Sequence, residues 1–564
     1  MVEQMQWGAY DGGEEPMPAR GHVVGPHPEH VLLEGVVPFP AEFAERYRER
    51  GYWKGETIAD MFFGSVRSFA HNVAVVDGEE EITYAQLGER VLRLAGGLSR
   101  LGIGRGDRVV VHLPNVAVYF DVVFALFELG AIPVFALQAH RRTEIEYFCS
   151  FAQAEAYITI DSCEGFDHAA LAREIAACVP SVEHALVVDT QDDCREFGKL
   201  YGEPLSHQER CNPADVAFLQ LSGGTTGKPK LIPRTHDDYL YTIRESARIC
   251  GLSSESVHLI ALPIAHNYTM SSPGILGCVY AGAKMVLAPS GSPDVVFPLI
   301  SKHHVTSSSL VPPVALLWLN SSVRDEWDLS SLQVLQVGGA KLSQEAARRV
   351  KPELGCTLQQ VFGMAEGLVN YTRLNDPESL VVSSQGLRIS PDDEVRVVDD
   401  DGVDLPAGVP GNLLTRGPYT IRGYYCAPEV NERDFTLDGF YCTGDIVSRD
   451  ERGYLTVTGR KKDQINRGGE KVSPEEIENL LLSHEAIHDA SVVGVRDQVL
   501  GEKVKAFVVL REDVDPGSVS PFKLKKFLRQ KGIAGFKIPD EFEIVKEFPE
   551  TFVGKTSKRA QRES

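Results

Sequence analysis

LSGGTTGKPKLIPRTH, residues 221–236, is the stretch that decides how this chain is read. It starts where the apolar run VAFLQ (216–220) stops. Gly223, Gly224 and Gly227 free the backbone for conformations that side chains forbid. Exposed N–H groups of such a loop form a concave anion site, and Ser222, Thr225, Thr226, Lys228 and Lys230 add hydroxyls and positive charge. The composition suits a polyphosphate. The spacing is not that of a Walker loop: three residues separate Gly223 from Gly227 where four are needed, and Pro229 follows Lys228 where Ser or Thr belongs. Taken alone, the stretch also fits a flexible surface loop.

Outward from the loop, strands and helices alternate. ITYAQLGERVLRLAGGLSRLGI (82–103) carries a capping box, Thr83 with Gln86, and helical apolar spacing. DRVVVHLPN (107–115) is a short strand, followed by a buried helix capped by Asn115 and ended near Gly130. AIPVFAL (131–137), AEAYITID (154–161) and HALVVD (184–189) continue the series. Beyond the loop come HLIALPI (258–264), AKMVLAP (283–289) and LQVLQVGG (332–339). Near-continuous apolar strands between helices predict parallel sheets covered on both faces. Such sheets bind ligands at the carboxyl ends of their strands. AHNYTMSSPGILG (265–277) is where a crossover helix should begin.

Residues 393–460 change to short alternating pieces, DEVRVVD, GNLLTRG and GYLTVTG, which predict a small antiparallel barrel or sheet. GRKKDQINRGGEKVSPEEIENLL (459–481) leads into a helix with Ser473 as N-cap and Glu476 three residues on. ASVVGV, KAFVVL and EFEIV are the later strands of an α+β unit. The expected fold is α/β: a large N-terminal domain of two parallel-rich α/β sheet subdomains plus a small β-barrel-like subdomain, then a small mobile α+β C-terminal domain. The boundaries are a disordered leader at 1–35, a core at 36–461 and a lid at 462–564. His22, His27 and His30 of the leader match no standard metal-site spacing.

The chain has 564 residues, 24% charged, with a formal net charge of −22. That acidity disfavours nucleic acid as a partner. The longest apolar stretch, 115–130, is broken by Asp121 and Glu128 and is too short to span a bilayer, so no membrane is expected. Ten scattered cysteines with no C-x-x-C pair predict reduced thiols, and no signal peptide is evident; the expected location is cytoplasmic.

The loop at 221–230 resembles the phosphate-binding signature of the adenylate-forming enzymes: acyl-CoA synthetases, peptide-synthetase adenylation domains and luciferases. VFGMAEG (361–367), YCTGD (441–445), GRKKDQINRGGEKV (459–472) and GKTSKR (554–559) resemble four further motifs of that family, in family order. The resemblance implies ATP and Mg2+ as cofactors. By it, Ser222 to Lys230 hold the β/γ-phosphates, Glu366 holds the magnesium, and Asp445 with Arg460 binds the ribose. Gly338, Gly339, Ala340, Phe362 and Gly363 flank the adenine, Lys462 is the hinge, and Lys555 stabilises charge between carboxylate and α-phosphate. Without the resemblance, Asp445 reads as a turn aspartate and Lys555 as a solvated lysine. The family often has Thr where this chain has Ala365, so a hydroxyl contact to the α-phosphate is missing or supplied elsewhere.

AHNYTMSSPG (265–274), LVPP (310–313), LQVLQVGGAK (332–341) and QQVFGMAEGLVNYTRL (359–374) resemble the stand-alone aryl-acid adenylating enzymes of siderophore synthesis. The resemblance implies an acyl slot of Asn267, Tyr268, Ser272, Val361 and Val369, with Gly338 as floor and His266 at its border among the catalytic candidates. Two valines and a tyrosine make a flat apolar slot for a ring. Asn267 can donate to a carboxylate or ortho-hydroxyl, and Ser272 can bond a second hydroxyl, which favours 2,3-dihydroxybenzoate. Salicylate, 3-hydroxypicolinate and an aryl-CoA ligase are the alternatives. Asn267 and Ser272 also fit as caps of the next helix. SSSL (307–310) is more polar than the resemblance leads one to expect. No carrier domain follows Lys555, so the expected acceptor is a separate phosphopantetheinylated aryl carrier protein.

Overall fold

A computed structural model describes residues 27–188, 197–205, 211–222, 229–467, 470–497, 500–511, 514–549 and 556–563. Among these, a nine-stranded sheet runs in spatial order Leu387–Arg388, Gly367–Tyr371, Thr357–Met364, Val334–Val337, Ser307–Leu310, Val257–Ile260, Lys284–Leu287, Val73–Asp77 and Glu80–Thr83. Its six central strands are parallel, from Thr357–Met364 to Val73–Asp77, and the edges are antiparallel. A six-stranded sheet runs Leu231–Thr235, Val216–Leu221, Ile132–Phe135, Arg108–His112, Ala156–Ile160 and His184–Val188. It is parallel apart from its first pair. Helices bury both faces, as the apolar strands require.

Residues 393–460 form the expected small antiparallel sheet of four strands, Glu394–Val398, Gly411–Arg416, Tyr441–Arg449 and Leu455–Arg460. The C-terminal unit is α+β, with a five-stranded sheet around Ile487–Asp497 and Gly501–Leu510 and its own apolar core. The predicted capping box is present: Thr83 Oγ accepts from the Gln86 N–H, and Gln86 accepts from the Thr83 N–H.

Three local expectations differ from what is found. Asn115 does not cap the buried helix, which begins at Val118. Its amide instead reaches the carbonyls of Leu262 and Ala288 at 3.1 and 3.0 Å and accepts from Ile264 N–H, tying the two large sheets together. Ser473 precedes the helix Pro474–Leu482 but donates to Thr458 O at 2.8 Å, because that carbonyl lies across the domain boundary within reach. Residues 27–35, assigned to the leader, pack on the core. Leu33 joins an apolar cluster, His30 pairs with Asp215 at 2.9 Å, and Arg105 donates to Glu29 O at 2.7 Å.

Candidate functional site

The glycine-rich loop connects two antiparallel strands, with Leu231 opposite Leu221. Its base is closed twice: Ser222 N–H donates to Lys230 O, and Lys230 N–H donates to Ser222 Oγ, both at 3.0 Å. Gly223, Gly224, Thr225, Thr226, Gly227 and Lys228 lie outside the described residues, and so does Lys555. Lys230 Nζ sits 3.1 Å from Asp434 and 3.9 Å over the Tyr424 ring. A cation there is already partnered in this conformation.

Beside that ring, Tyr424 OH donates to Glu366 Oε1 at 2.8 Å and lies 2.9 Å from Tyr441 OH. Glu366 is 9% exposed. Its carbonyl accepts from Ile421 N–H at 2.8 Å, so both ends of the residue are fixed. Gly367 follows at φ +137°, where a Cβ would stand 2.5 Å from Thr420 Cα. Only glycine fits there. Burial, then the neighbouring Glu366 charge, pushes the Tyr424 phenol far above its ordinary range, so it stays a donor.

Asp445, 3% exposed, faces Arg460 across adjacent strands at 2.8 Å. Burial raises its carboxyl above the ordinary value, and Arg460 opposes the shift. Gly339 and Ala340 are exposed at the C-terminal end of Val334–Val337, Gly339 at φ +77°. Phe362 is half-buried against the small sheet, on the opposite face of its strand from Val361. Lys462 is exposed and lies in the one-turn helix Lys461–Asp463 at the junction of the large and small domains. The boundary is bridged by the Ser473–Thr458 bond and by Lys341 facing Glu475 at 3.9 Å, and within the C-terminal unit Arg562 ties the chain end back to Asp463 at 2.7 Å.

Tyr268, Val361 and Val369 share one buried cluster with Val311 and Tyr371. A Cβ at Gly338 would lie 3.0 Å from Tyr268 Cζ and 3.0 Å from Val361 Cβ, so a methyl group there would press both neighbours aside by a few tenths of an ångström. At Gly363 a Cβ would meet Val369 Cγ2 at 3.3 Å. The cap of the short helix Asn267–Ser271 is His266, whose Nδ1 accepts from Tyr268 N–H at 3.2 Å. Asn267 therefore does not cap. Its Oδ1 accepts from Tyr239 OH at 2.9 Å, and its NH2 has no partner among the described residues. Ser272 is the buried residue closing that helix. Sequence reasoning missed Tyr239, Tyr424 and Arg234; RTHDDY (234–239), shortly after the loop, was the available signal for Arg234 and Tyr239, and none marked Tyr424.

The described residues contain no cluster of three or more His, Cys, Asp or Glu able to hold a metal, and no helix long and apolar enough to cross a membrane. A single buried carboxylate such as Glu366 fits a hard cation whose other ligands are phosphate and water oxygens.

Residues 62–425 match the AMP-binding enzyme family, and residues 476–555 match the AMP-binding enzyme C-terminal domain. The chain is 53% identical over 533 residues to the 2,3-dihydroxybenzoate-AMP ligase of Bacillus subtilis (strain 168), covering 94% of this chain and 98% of the relative. It is 48% identical over 528 residues to the pyochelin synthase PchD of Pseudomonas aeruginosa (strain UCBPP-PA14), covering 93% and 95%. The apo structure of Mycobacterium smegmatis MbtA superposes with a TM-score of 0.73 at 41% identity, over 95% of this chain and 100% of that one. The chain belongs to the AMP-binding enzyme family and is an ATP-dependent ligase.

Proposed function

We propose that this ligase activates an aryl acid, 2,3-dihydroxybenzoate, with ATP, releasing pyrophosphate, and then passes the aryl group to the phosphopantetheine thiol of a separate carrier protein. The observation that carries the reading is the slot: Tyr268, Val361 and Val369 around the Gly338 floor, with the Asn267 amide held by Tyr239 at one end. Its apolar side chains suit the faces of a flat ring, and the Asn267 amide is a donor for a carboxylate or ortho-hydroxyl. Ser272 supplies the hydroxyl that favours a dihydroxy acid over salicylate.

In this reading the loop 222–230 binds the β/γ-phosphates, Asp445 accepts from the ribose hydroxyls, and Arg460 holds Asp445 in place. Glu366 would hold the magnesium, which supplies charge neutralisation as pyrophosphate leaves. Tyr424 fixes the Glu366 carboxylate for that task. Lys555 comes from the lid to the carboxylate and α-phosphate, and rotation about Lys462 then exposes the thiol route. The core at 36–461 and lid at 462–564 are the units that rotate. The nine described cysteines are free, in keeping with a reducing cytoplasm.

ATP–pyrophosphate exchange tests the proposal with 2,3-dihydroxybenzoate, salicylate, 3-hydroxypicolinate, benzoate and a fatty acid. Strongest exchange with the dihydroxy acid is expected. Preference for another aryl acid overturns the Ser272 argument and keeps the chemistry; exchange with the fatty acid alone overturns the slot. Thioester formation on a phosphopantetheinylated aryl carrier but not on free CoA is expected for the second step.

A further inference from the structure

Arg234 lies on the strand leaving the phosphate loop and is 2% exposed. Asp238 neutralises it, with Oδ1 at 2.8 Å from Nε and 2.7 Å from Nη2. Asp238 is itself fixed, because its Oδ2 accepts from Thr235 N–H and Thr235 Oγ–H at 2.8 and 2.9 Å. A buried ion pair this well bonded costs little to keep and much to break on one side only.

Three branches leave the guanidinium. Nη1 donates to Ala365 O at 2.9 Å, the peptide directly before Glu366. Nη2 donates to Tyr419 O at 3.1 Å, and the phenol oxygen of Tyr419 accepts from the slot residue Val369 N–H at 3.1 Å. Cζ stands 4.6 Å over the Tyr239 ring, whose OH holds Asn267. One planar cation thus touches the element behind the nucleotide-side carboxylate and two elements that shape the slot. A lysine offers one point of charge and cannot fill the fork.

We infer that Arg234 is a positioning residue that registers the two substrates, fixing the Ala365–Glu366 peptide relative to Asn267 and Val369. The inference rests on the proposed reading of the slot. It gives the missing threonine hydroxyl at Ala365 a physical context: the backbone there is held by its carbonyl, from behind.

Three variants of the full chain test this: Arg234→Met/Asp238→Asn, which removes both charges together; Arg234→Lys; and Tyr239→Phe, which cuts only the Asn267 branch. Melting temperature, kcat, KM for ATP, KM for the acid, and discrimination between two acids are measured by exchange. The two acids are those the wild-type chain separates best, so a wrong acid assignment shows in the wild type and a wrong role for Arg234 shows only in the variants. Tyr239→Phe is expected to raise acid KM about tenfold and erode discrimination, with ATP KM unchanged. The double variant is expected to lower kcat by about a hundredfold and raise both KM values, and Arg234→Lys does not restore them. A merely structural Arg234 would lower melting temperature and active fraction while leaving both KM values and discrimination alone, and that result overturns the inference. Wild-type acid KM and discrimination in Tyr239→Phe overturn it too, whether or not the double variant folds.

Discussion

Replacing Gly338 by alanine isolates the slot floor. Gly338 does not occupy the left-handed region, so alanine brings no backbone strain, only its methyl group. That methyl would meet Tyr268 Cζ, Val361 Cβ and Val361 O, each at 3.0 Å. Contacts this short force neighbours aside, and all three belong to residues of the proposed acyl slot. Overpacking of this kind costs about 1–3 kcal/mol. If the ring and the valine relieve it by moving into the slot, the loss falls on acid binding. At about 1.4 kcal/mol per factor of ten, kcat/KM for the acid falls between about fivefold and about 150-fold. KM for ATP is expected to move less than KM for the acid, because the methyl's nearest contacts are with Tyr268 and Val361 and not with Asp445 or Glu366. Exchange kinetics at varied acid and ATP, with a melting curve, read all of this. A folded variant with reduced melting temperature and unchanged acid KM would refute the reasoning, because strain would then be relieved away from the substrate.

Tyr424→Phe deletes the donor to Glu366 while keeping the ring under Lys230. A hydrogen bond to a charged group contributes about 1.5–3 kcal/mol. The magnesium concentration for half-maximal exchange should therefore rise about tenfold or more, with acid KM constant; equal magnesium dependence would remove Tyr424 from the site. Ser272→Ala should narrow the preference for 2,3-dihydroxybenzoate over salicylate by about tenfold, read from the ratio of their kcat/KM values. Glu475→Gln tests the domain boundary. Burial, opposed by Lys341, pushes the Glu475 carboxyl up to about 7, and burial lowers Lys341. The native state then keeps a proton that the unfolded chain has lost between its ordinary value near 4.5 and about 7, so stability falls as pH rises through that window. Glutamine should flatten that part of the denaturation profile between pH 5 and 8. Asp393, also raised to about 7 by burial, keeps the remaining slope.

Much of this was legible in the sequence because it is local. The Thr83 capping box, the Gly130 helix end and the change to short strands after residue 393 are set by neighbours in the chain. The phosphate loop was legible as a composition, but its return strand was not: LIPRT carries no turn signal that separates a hairpin from a strand–helix unit. The site's braces were invisible for a different reason. Tyr239 meets Asn267 across 28 residues, Tyr424 meets Glu366 across 58, and Arg234 meets Ala365 across 131. Periodicity reports which face of an element is buried, not which distant carbonyl or carboxylate a polar group on that face will find. Asn115 was misread on the same ground: a residue well suited to a cap found three carbonyls of another sheet instead.

The SSSL strand follows from the same logic. A central parallel strand is ordinarily apolar on both faces, and Ser307, Ser308 and Ser309 are all buried. Each hydroxyl has a partner on a neighbouring strand. Ser307 lies 2.8 Å from His258 Nδ1, whose imidazole burial keeps neutral by lowering its pKa to about 4. Ser308 donates to Leu259 O at 3.1 Å, and Ser309 reaches Gln336 Oε1 at 3.5 Å. Gln336 then donates to Gln359 at 3.3 Å, and Gln359 to Thr372 O at 2.9 Å. Ser309, Gln336 and Gln359 are direct register neighbours, so the side chains form a rung across three strands. Two residues further along each strand, on the same face, stand Val311, Gly338 and Val361. The polarity that looked out of place lies one layer beneath the proposed slot. A satisfied buried network rigidifies what it joins, and a floor closed by a glycine discriminates by size only if the strands beneath it cannot spread.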